Sequence, residues 1–144
     1  MGGADNVCSD KTGTLTKNQM TVTKLYIQGQ QINTNALPSP LTTEPLTNVL
    51  IHSICQNSTA NPIIEIGKNQ QIGNKTECAT LELAFRLGYD YKTVRNKDNI
   101  LVSYPFSSAR KKMTTIYRAE DGVYVFCKGA PEFIIPFCTH YINP

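Results

Sequence analysis

The sequence predicts an α+β fold with a mainly antiparallel, twisted sheet flanked by helices. Three observations carry this expectation. The last third is rich in β-branched and aromatic residues and is broken by Glu120-Asp121-Gly122. Apolar residues recur at helical spacing in two stretches, 44–57 and 76–87. An earlier β-rich run, 21–27, ends at Gln28-Gly29-Gln30, which can turn it back on itself. Strands joined by tight turns pair antiparallel, and added helices complete the class.

The elements follow in order. Asn6-Val7-Cys8-Ser9 reads as a strand that delivers Asp10 to its C-terminal tip. Thr21 to Ile27 is a strand, with Gln31-Ile32-Asn33 as its return. Residues 35–42 carry two prolines and read as an exposed loop. Thr43-Glu44-Pro45 is a helix start, with Thr43 as N-cap and an acid and a proline in the first turn. Leu46, Val49, Leu50 and Ile54 then mark an amphipathic helix over 44–57. Ile63 to Ile66 is a short strand. Thr76 to Leu87 is a second helix, burying Leu81, Ala84 and Phe85, with Gly88 as its stop. A helical turn follows near Tyr91–Arg95. Ile100 to Phe106, Met113 to Ala119 and Val123 to Lys128 are strands, the last two joined by a hairpin with Asp-Gly at its centre. Pro131-Glu132 opens a final short helix through Cys138.

Composition narrows the function. At 144 residues the chain has the size of an ordinary domain, and 40% hydrophobic with 17% charged residues is a globular balance. Fourteen basic against eleven acidic residues give a formal +3, too mild to argue for a nucleic-acid partner. No apolar run approaches 18 residues, and Met1-Gly2-Gly3-Ala4-Asp5 has no apolar signal region. Five cysteines, at 8, 55, 78, 127 and 138, are odd in number and lack CxxC spacing. They read as small buried thiols in a reducing compartment, the cytosol or the cytosolic side of a membrane. His52 and His140 stand alone and read as structural.

The chemistry concentrates in four stretches. In Asp10-Lys11-Thr12-Gly13-Thr14-Leu15-Thr16 a carboxylate at a strand tip can attack phosphorus and form an acyl phosphate. Lys11 and the Thr14 hydroxyl can meet the phosphoryl oxygens, and Gly13 lets backbone N–H groups face an anion. Such chemistry needs Mg²⁺. A bare Asp-x-x-Gly is ordinarily only a turn, but seven residues in this order are a different matter. These seven residues resemble the phosphorylation signature of the P-type ATPases without a departure. The resemblance implies that Asp10 becomes the aspartyl phosphate, that Asp10 and the Thr12 carbonyl bind Mg²⁺, and that Lys11 and Thr14 contact the phosphoryl group. Related phosphatases of the haloacid-dehalogenase type carry a second Asp two positions after the nucleophile. Thr12 stands there instead, which favours a slowly hydrolysed pump intermediate over a soluble phosphatase.

In Tyr104-Pro105-Phe106-Ser107-Ser108-Ala109-Arg110-Lys111-Lys112-Met113 an aromatic residue beside cations reads either as a platform for adenine and its phosphates or as a strand with a solvated basic edge. The resemblance favours the first, with Phe106 stacking on adenine and Lys111 and Met113 lining the pocket. Some family members carry an Arg two residues after the Phe; here it is Ser108, and Arg110 is the candidate replacement. Phe126-Cys127-Lys128-Gly129-Ala130-Pro131-Glu132 is a strand-to-helix junction, and it also resembles a family signature with Lys128 at the base of the adenine pocket and Gly129 beside the ring. Gly73-Asn74-Lys75-Thr76-Glu77-Cys78-Ala79 is a helix N-terminus with Thr76 as cap. In the family the matching Glu hydrogen-bonds the adenine amino group, which implicates Glu77 and the adjacent Thr76. This stretch most resembles the plasma-membrane calcium pump branch.

The resemblance thus implies residues 1–18 as a phosphorylation-domain strand, loop and hinge, and 19–144 as a C-terminally truncated nucleotide-binding domain. It implies ATP and Mg²⁺ as cofactors. It implies Ca²⁺ as the ion moved by the parent protein, which sits in the plasma membrane or an internal calcium-store membrane. Partners are the remaining membrane, actuator and phosphorylation domains. The chain alone is expected to bind nucleotide without turnover. The competing expectations are a P-type ATPase for another cation and a non-catalytic nucleotide-sensing module.

Overall fold

The computed structural model describes residues 5–65 and 67–142. Strands β1 (Lys24–Ile27) and β2 (Gln30–Asn33) precede helix α1 (Glu44–Gln56). Next come β3 (Ile63–Glu65), β4 (Lys68–Gln70), α2 (Lys75–Arg86) and α3 (Tyr91–Val94). The chain then runs through β5 (Ile100–Ser107), β6 (Lys112–Ala119), β7 (Gly122–Gly129) and α4 (Pro131–Ile134). Strand pairing is antiparallel throughout the described residues, in the sheets β1-β2, β3-β4 and β5-β6-β7. The α+β class is therefore as expected.

Several elements differ in detail. Asn6–Ser9 do not form a strand; residues 5–20 are exposed, and no described neighbour offers them a ladder. The strand at Ile63 returns as β4, and Ile66, its expected last residue, lies outside the described residues. Ala119 pairs with Gly122, so the loop between β6 and β7 is Glu120-Asp121, and Gly122 already belongs to the ladder.

Helix α1 buries Thr47, Ile51 and Cys55, while Leu46, Val49, Leu50 and Ile54 are only half-buried. The helix packs against α2 on one side and β7 on the other. Its expected apolar stripe therefore divides between two neighbours, and the buried centre shifts by one residue. Thr43 makes no side-chain cap bond, so Pro45 in the first turn is the start signal that holds. Helix α2 begins at Asn74, not Thr76: the Asn74 side chain accepts the Glu77 N–H at 3.2 Å. It ends as expected at Gly88, whose φ of +92° suits glycine alone. There Gly88 N–H bonds Phe85 O and Tyr89 N–H bonds Ala84 O, a double closure of the last turn.

The core sits among the helices, where Ile51, Cys55, Ala60, Cys78, Leu81, Ala84 and Tyr91 pack together. Phe85, expected on the buried face, is only half-buried. Two of the cysteines, Cys55 and Cys78, are buried as expected, but Cys8, Cys127 and Cys138 are exposed. Burial pushes the Cys55 thiol up to about 11, so it is inert as a nucleophile.

The three-stranded sheet has two unlike faces. Met113, Thr115, Tyr117 and Phe126 turn toward α1 and are buried. The register places Val102, Ile116 and Val125 in one row on the reverse side, with Val102 and Val125 exposed. Among the described residues no helix is long and apolar enough to cross a membrane.

Candidate functional site

The site forms where the buried end of this sheet meets the first turn of α2. Met113 on β6 is paired with Lys128 on β7. On β5 the register jumps between Tyr104, opposite Thr114, and Ser107, opposite Lys112. Two residues, Pro105 and Phe106, therefore stand against Met113 alone, a bulge that sets Phe106 in the row of Met113 and Lys128. Met113 is buried, while Phe106 keeps 55% of its surface exposed, an accessible aromatic face beside a basic group.

Glu77 links this row to the helices. Its Oε1 lies 2.7 Å from the Lys128 ammonium. Its Oε2 accepts N–H groups from Thr59 at 2.8 Å and Ala60 at 2.9 Å, and hydroxyls from Thr59 at 3.1 Å and Ser58 at 3.3 Å. Lys128 also donates to the Asn57 carbonyl. Burial alone would raise the Glu77 carboxyl, but Lys128 and the two backbone donors outweigh it and hold it below its ordinary value. Burial draws the Lys128 ammonium below its ordinary range, against the pull of Glu77. Both Glu77 oxygens are thus engaged by the protein itself. The side chain expected to meet an adenine amino group thus already accepts from the 57–60 loop and from Lys128.

Arg95 closes the loop from the other side. Its guanidinium donates to the carbonyls of Cys55 at 2.9 Å and Ala60 at 3.1 Å and to Asn61 Oδ1 at 3.0 Å, while resting 4.8 Å above the Tyr91 ring. A cavity of about 340 Å³ opens here, lined by Ser58, Thr59, Arg95, Ile100, Ser103 and Met113. A larger open depression of about 720 Å³ lies beside α3 and contains none of the expected site residues.

The remaining expected residues are placed as follows. Lys111 is exposed in the turn between β5 and β6 at φ +53°, its N–H bonded to Ser107 O and its carbonyl to the Ala130 N–H. Gly129 pairs with Lys112; a Cβ there would lie 2.8 Å from the Lys112 Cβ and 2.9 Å from its Cα, so close strand approach alone demands glycine. Arg110 turns away from the row: its guanidinium donates to Pro105 O and sits 5.9 Å above the Tyr104 ring, on the reverse face of the sheet. Thr76 is exposed, its hydroxyl 3.8 Å from the Met20 sulfur. Asp10, Lys11, Thr12 and Thr14 are exposed, in a segment whose hydrogen bonds are local. Thr12 N–H donates to Asp10 Oδ1 at 3.4 Å. The Asp10 carboxylate and Thr12 carbonyl are hard oxygen donors of the kind Mg²⁺ takes, and among the described residues no three-membered metal-ligating cluster joins them.

Asn57, Ser58, Thr59 and Arg95 escape a reading of the sequence, because they act only through contacts closed by the fold. The spacing of Asn74 and Glu77 is the one local signal, since an N-cap three residues before a Glu marks a helix start.

Comparison with known proteins adds the lineage. Plasma membrane calcium-transporting ATPase 3 of Homo sapiens is 40% identical over 152 residues, covering 99% of this chain and 12% of its own length. Calcium-transporting ATPase 8, plasma membrane-type, of Arabidopsis thaliana is 37% identical over 146 residues, covering 99% of this chain and 13% of its own. Plasma membrane calcium-transporting ATPase 2 of Oreochromis mossambicus is 37% identical over 153 residues, with 99% and 14% covered. The chain thus spans 12 to 14% of the length of these curated relatives. Residues 45–144 match the family model described as P-type ATPase, cytoplasmic domain N, and the chain belongs to the P-type ATPase family.

Proposed function

We propose that this chain is the ATP-binding part, with the acceptor loop, of a calcium-transporting P-type ATPase. The observation that carries the reading is the direct contact between Glu77 and Lys128 beneath the Phe106–Met113–Lys128 row. Together with the pairing of Lys128 and Met113, it joins three stretches far apart in sequence at one place. Calcium as the moved ion is supported by the names of the similar plasma-membrane pumps.

In this reading the adenine ring lies on the exposed face of Phe106, with Met113 behind it. Glu77 acts through Lys128, fixing the ammonium at the pocket base. Lys128 stands at the base of the adenine pocket, and Lys111 supplies positive charge toward the phosphates. Residues 19–144 form the nucleotide-binding domain and 1–18 the arm that bears Asp10. Support for that boundary comes from the hydrogen bonds: along the described chain, the first ones to the body of the domain are made by Gln19 and Met20. The domain swings about this hinge and brings the γ-phosphate to Asp10. An Asp10 carboxylate oxygen attacks the γ-phosphorus, the bond to the β–γ bridging oxygen breaks, and ADP leaves. Lys11 and the Thr14 hydroxyl hold the phosphoryl oxygens. The Asp10 carboxylate and the Thr12 carbonyl would hold Mg²⁺, which would supply charge neutralisation for the transfer. With Thr12 where a phosphatase carries a second acid, water attack on the acyl phosphate is slow, and the intermediate lasts long enough to drive ion movement. The domain lies on the cytosolic side of the membrane.

The test uses the full-length protein in membranes with γ-labelled ATP. The reading expects Ca²⁺-dependent, acid-stable and hydroxylamine-labile label, absent in Asp10→Asn. Label that survives in Asp10→Asn, or no label in the parent, refutes it.

A further inference from the structure

Where the arm joins the domain, one side chain holds its backbone at two points. Gln71, just beyond β4 and only 9% exposed, donates from Nε2 to the Met20 carbonyl at 2.6 Å. Its Oε1 accepts the Met20 N–H at 3.1 Å. The pair of bonds imitates one rung of an antiparallel ladder, with a side-chain amide in the place of a peptide. Two neighbouring contacts reinforce it: Gln19 Nε2 donates to Asn69 O at 3.3 Å, and the Thr76 hydroxyl lies 3.8 Å from the Met20 sulfur. Among the described residues, 5–18 make only local hydrogen bonds. Met20 is therefore the point at which the exposed arm becomes part of the domain.

The stretch 69–77 carries this clamp at one end and Glu77, the partner of Lys128, at the other. Clamp and pocket base are thus built on one short piece of chain. We propose that Gln71 is a positioning residue for phosphoryl transfer, fixing where the arm leaves the nucleotide domain and so how Asp10 meets the phosphate. This rests on the function proposed above. The amide is specific to the task. Glutamate presents two acceptors and would face the Met20 carbonyl with another oxygen, and asparagine is one methylene too short to reach both atoms. Reach and alignment matter because transfer depends on placing donor and acceptor within bonding range.

The experiment compares Gln71→Ala, Gln71→Glu and Gln71→Asn in the full-length protein. The initial rate of phosphoenzyme formation at saturating ATP is expected to fall about tenfold in the first two and less in the third, a consequence of misplacement. Affinity for ATP, read by displacement of trinitrophenyl-ATP, is expected to stay within about twofold, because no pocket residue is altered. Unchanged rates overturn the assignment. A parallel loss of ATP affinity, phosphorylation and thermal stability overturns it too, since that marks a residue needed only for folding. If the parent forms no phosphoenzyme, the proposed function fails and the clamp is read alone, from hydrogen exchange of the peptide containing Met20. That peptide is expected to exchange about tenfold faster in Gln71→Ala and Gln71→Glu, with the rest of the domain unchanged. Equal exchange in all forms rejects the clamp.

Discussion

Replacing Glu77 by Gln changes almost no volume, yet it should be among the more damaging single substitutions in this chain. The carboxylate accepts from Lys128 on one oxygen and from Ser58, Thr59 and Ala60 on the other. An amide offers one acceptor and one donor, and neither orientation satisfies all these partners. With its oxygen toward the loop, its NH₂ faces the Lys128 ammonium. With its NH₂ toward the loop, the Thr59 and Ala60 N–H groups lose their acceptor. Breaking a fully buried ion pair from one side costs about 3–5 kcal/mol. The Lys128 side chain is 36% exposed, so water recovers part of that loss. About 2 kcal/mol remains, and weakening the other bonds from charge-assisted to neutral adds about 1 kcal/mol. For 144 residues, an unfolding entropy of about 0.3 kcal/mol/K converts the total to a fall in Tm of ~10 °C. Thermal and urea unfolding followed by circular dichroism at pH 7 measure it. Lys128→Met and the double variant complete the cycle, with an expected coupling of about 2 kcal/mol. A Glu77→Gln protein that melts within about 2 °C of the parent refutes the reasoning.

Other expectations follow from the same contacts. The Glu77 carboxyl is held below its ordinary 4.5, so its contribution is fully present above that pH and is lost as pH falls through its lower folded value. Stability of the parent should therefore drop more steeply below pH 4.5 than that of Glu77→Gln, and equal acid limbs in urea midpoints would count against the pair. Gly129→Ala should cost about 2–3 kcal/mol in urea unfolding, because its Cβ has no room against Lys112 and the Lys111 carbonyl. A change under about 0.5 kcal/mol shows that the strands can part. Phe106→Ala should leave stability within about 1 kcal/mol, since the ring is more than half exposed, yet weaken ATP binding several-fold. Titration with ATP followed by NMR reads the second effect, and unchanged affinity removes Phe106 from the pocket.

Much of the framework was legible before the fold was known, for identifiable reasons. Gly88 ends α2 because only a positive φ lets the last turn close on itself, and glycine announces that locally. The β6–β7 hairpin shows in composition because its strands and loop are contiguous. What composition could not show was which face of α1 lies deepest, since α2 and β7 flank it from distant parts of the chain. The same limit applies to the site. Phe106, Met113 and Lys128 stood out as an aromatic, a thioether and a base in suggestive company, and the bulge between Tyr104 and Ser107 sets them in one row. The ties of Glu77 to the 57–60 loop, and of Arg95 to the other side of that loop, depend on three-dimensional closure alone. The direction of Arg110 was hidden for a different reason: its side chain lies on the Tyr104 side of the sheet, and strand parity near a bulge is not legible in the sequence.

The reverse of the three-stranded sheet sets a practical ceiling on how this protein can be handled. Val102, Val123 and Val125 form an oily plate, and a formal charge of +3 gives copies little reason to keep apart. Crowded preparations should therefore associate plate to plate. A single lysine at Val125, mid-plate and remote from Glu77, is the simplest remedy for spectroscopy at high concentration.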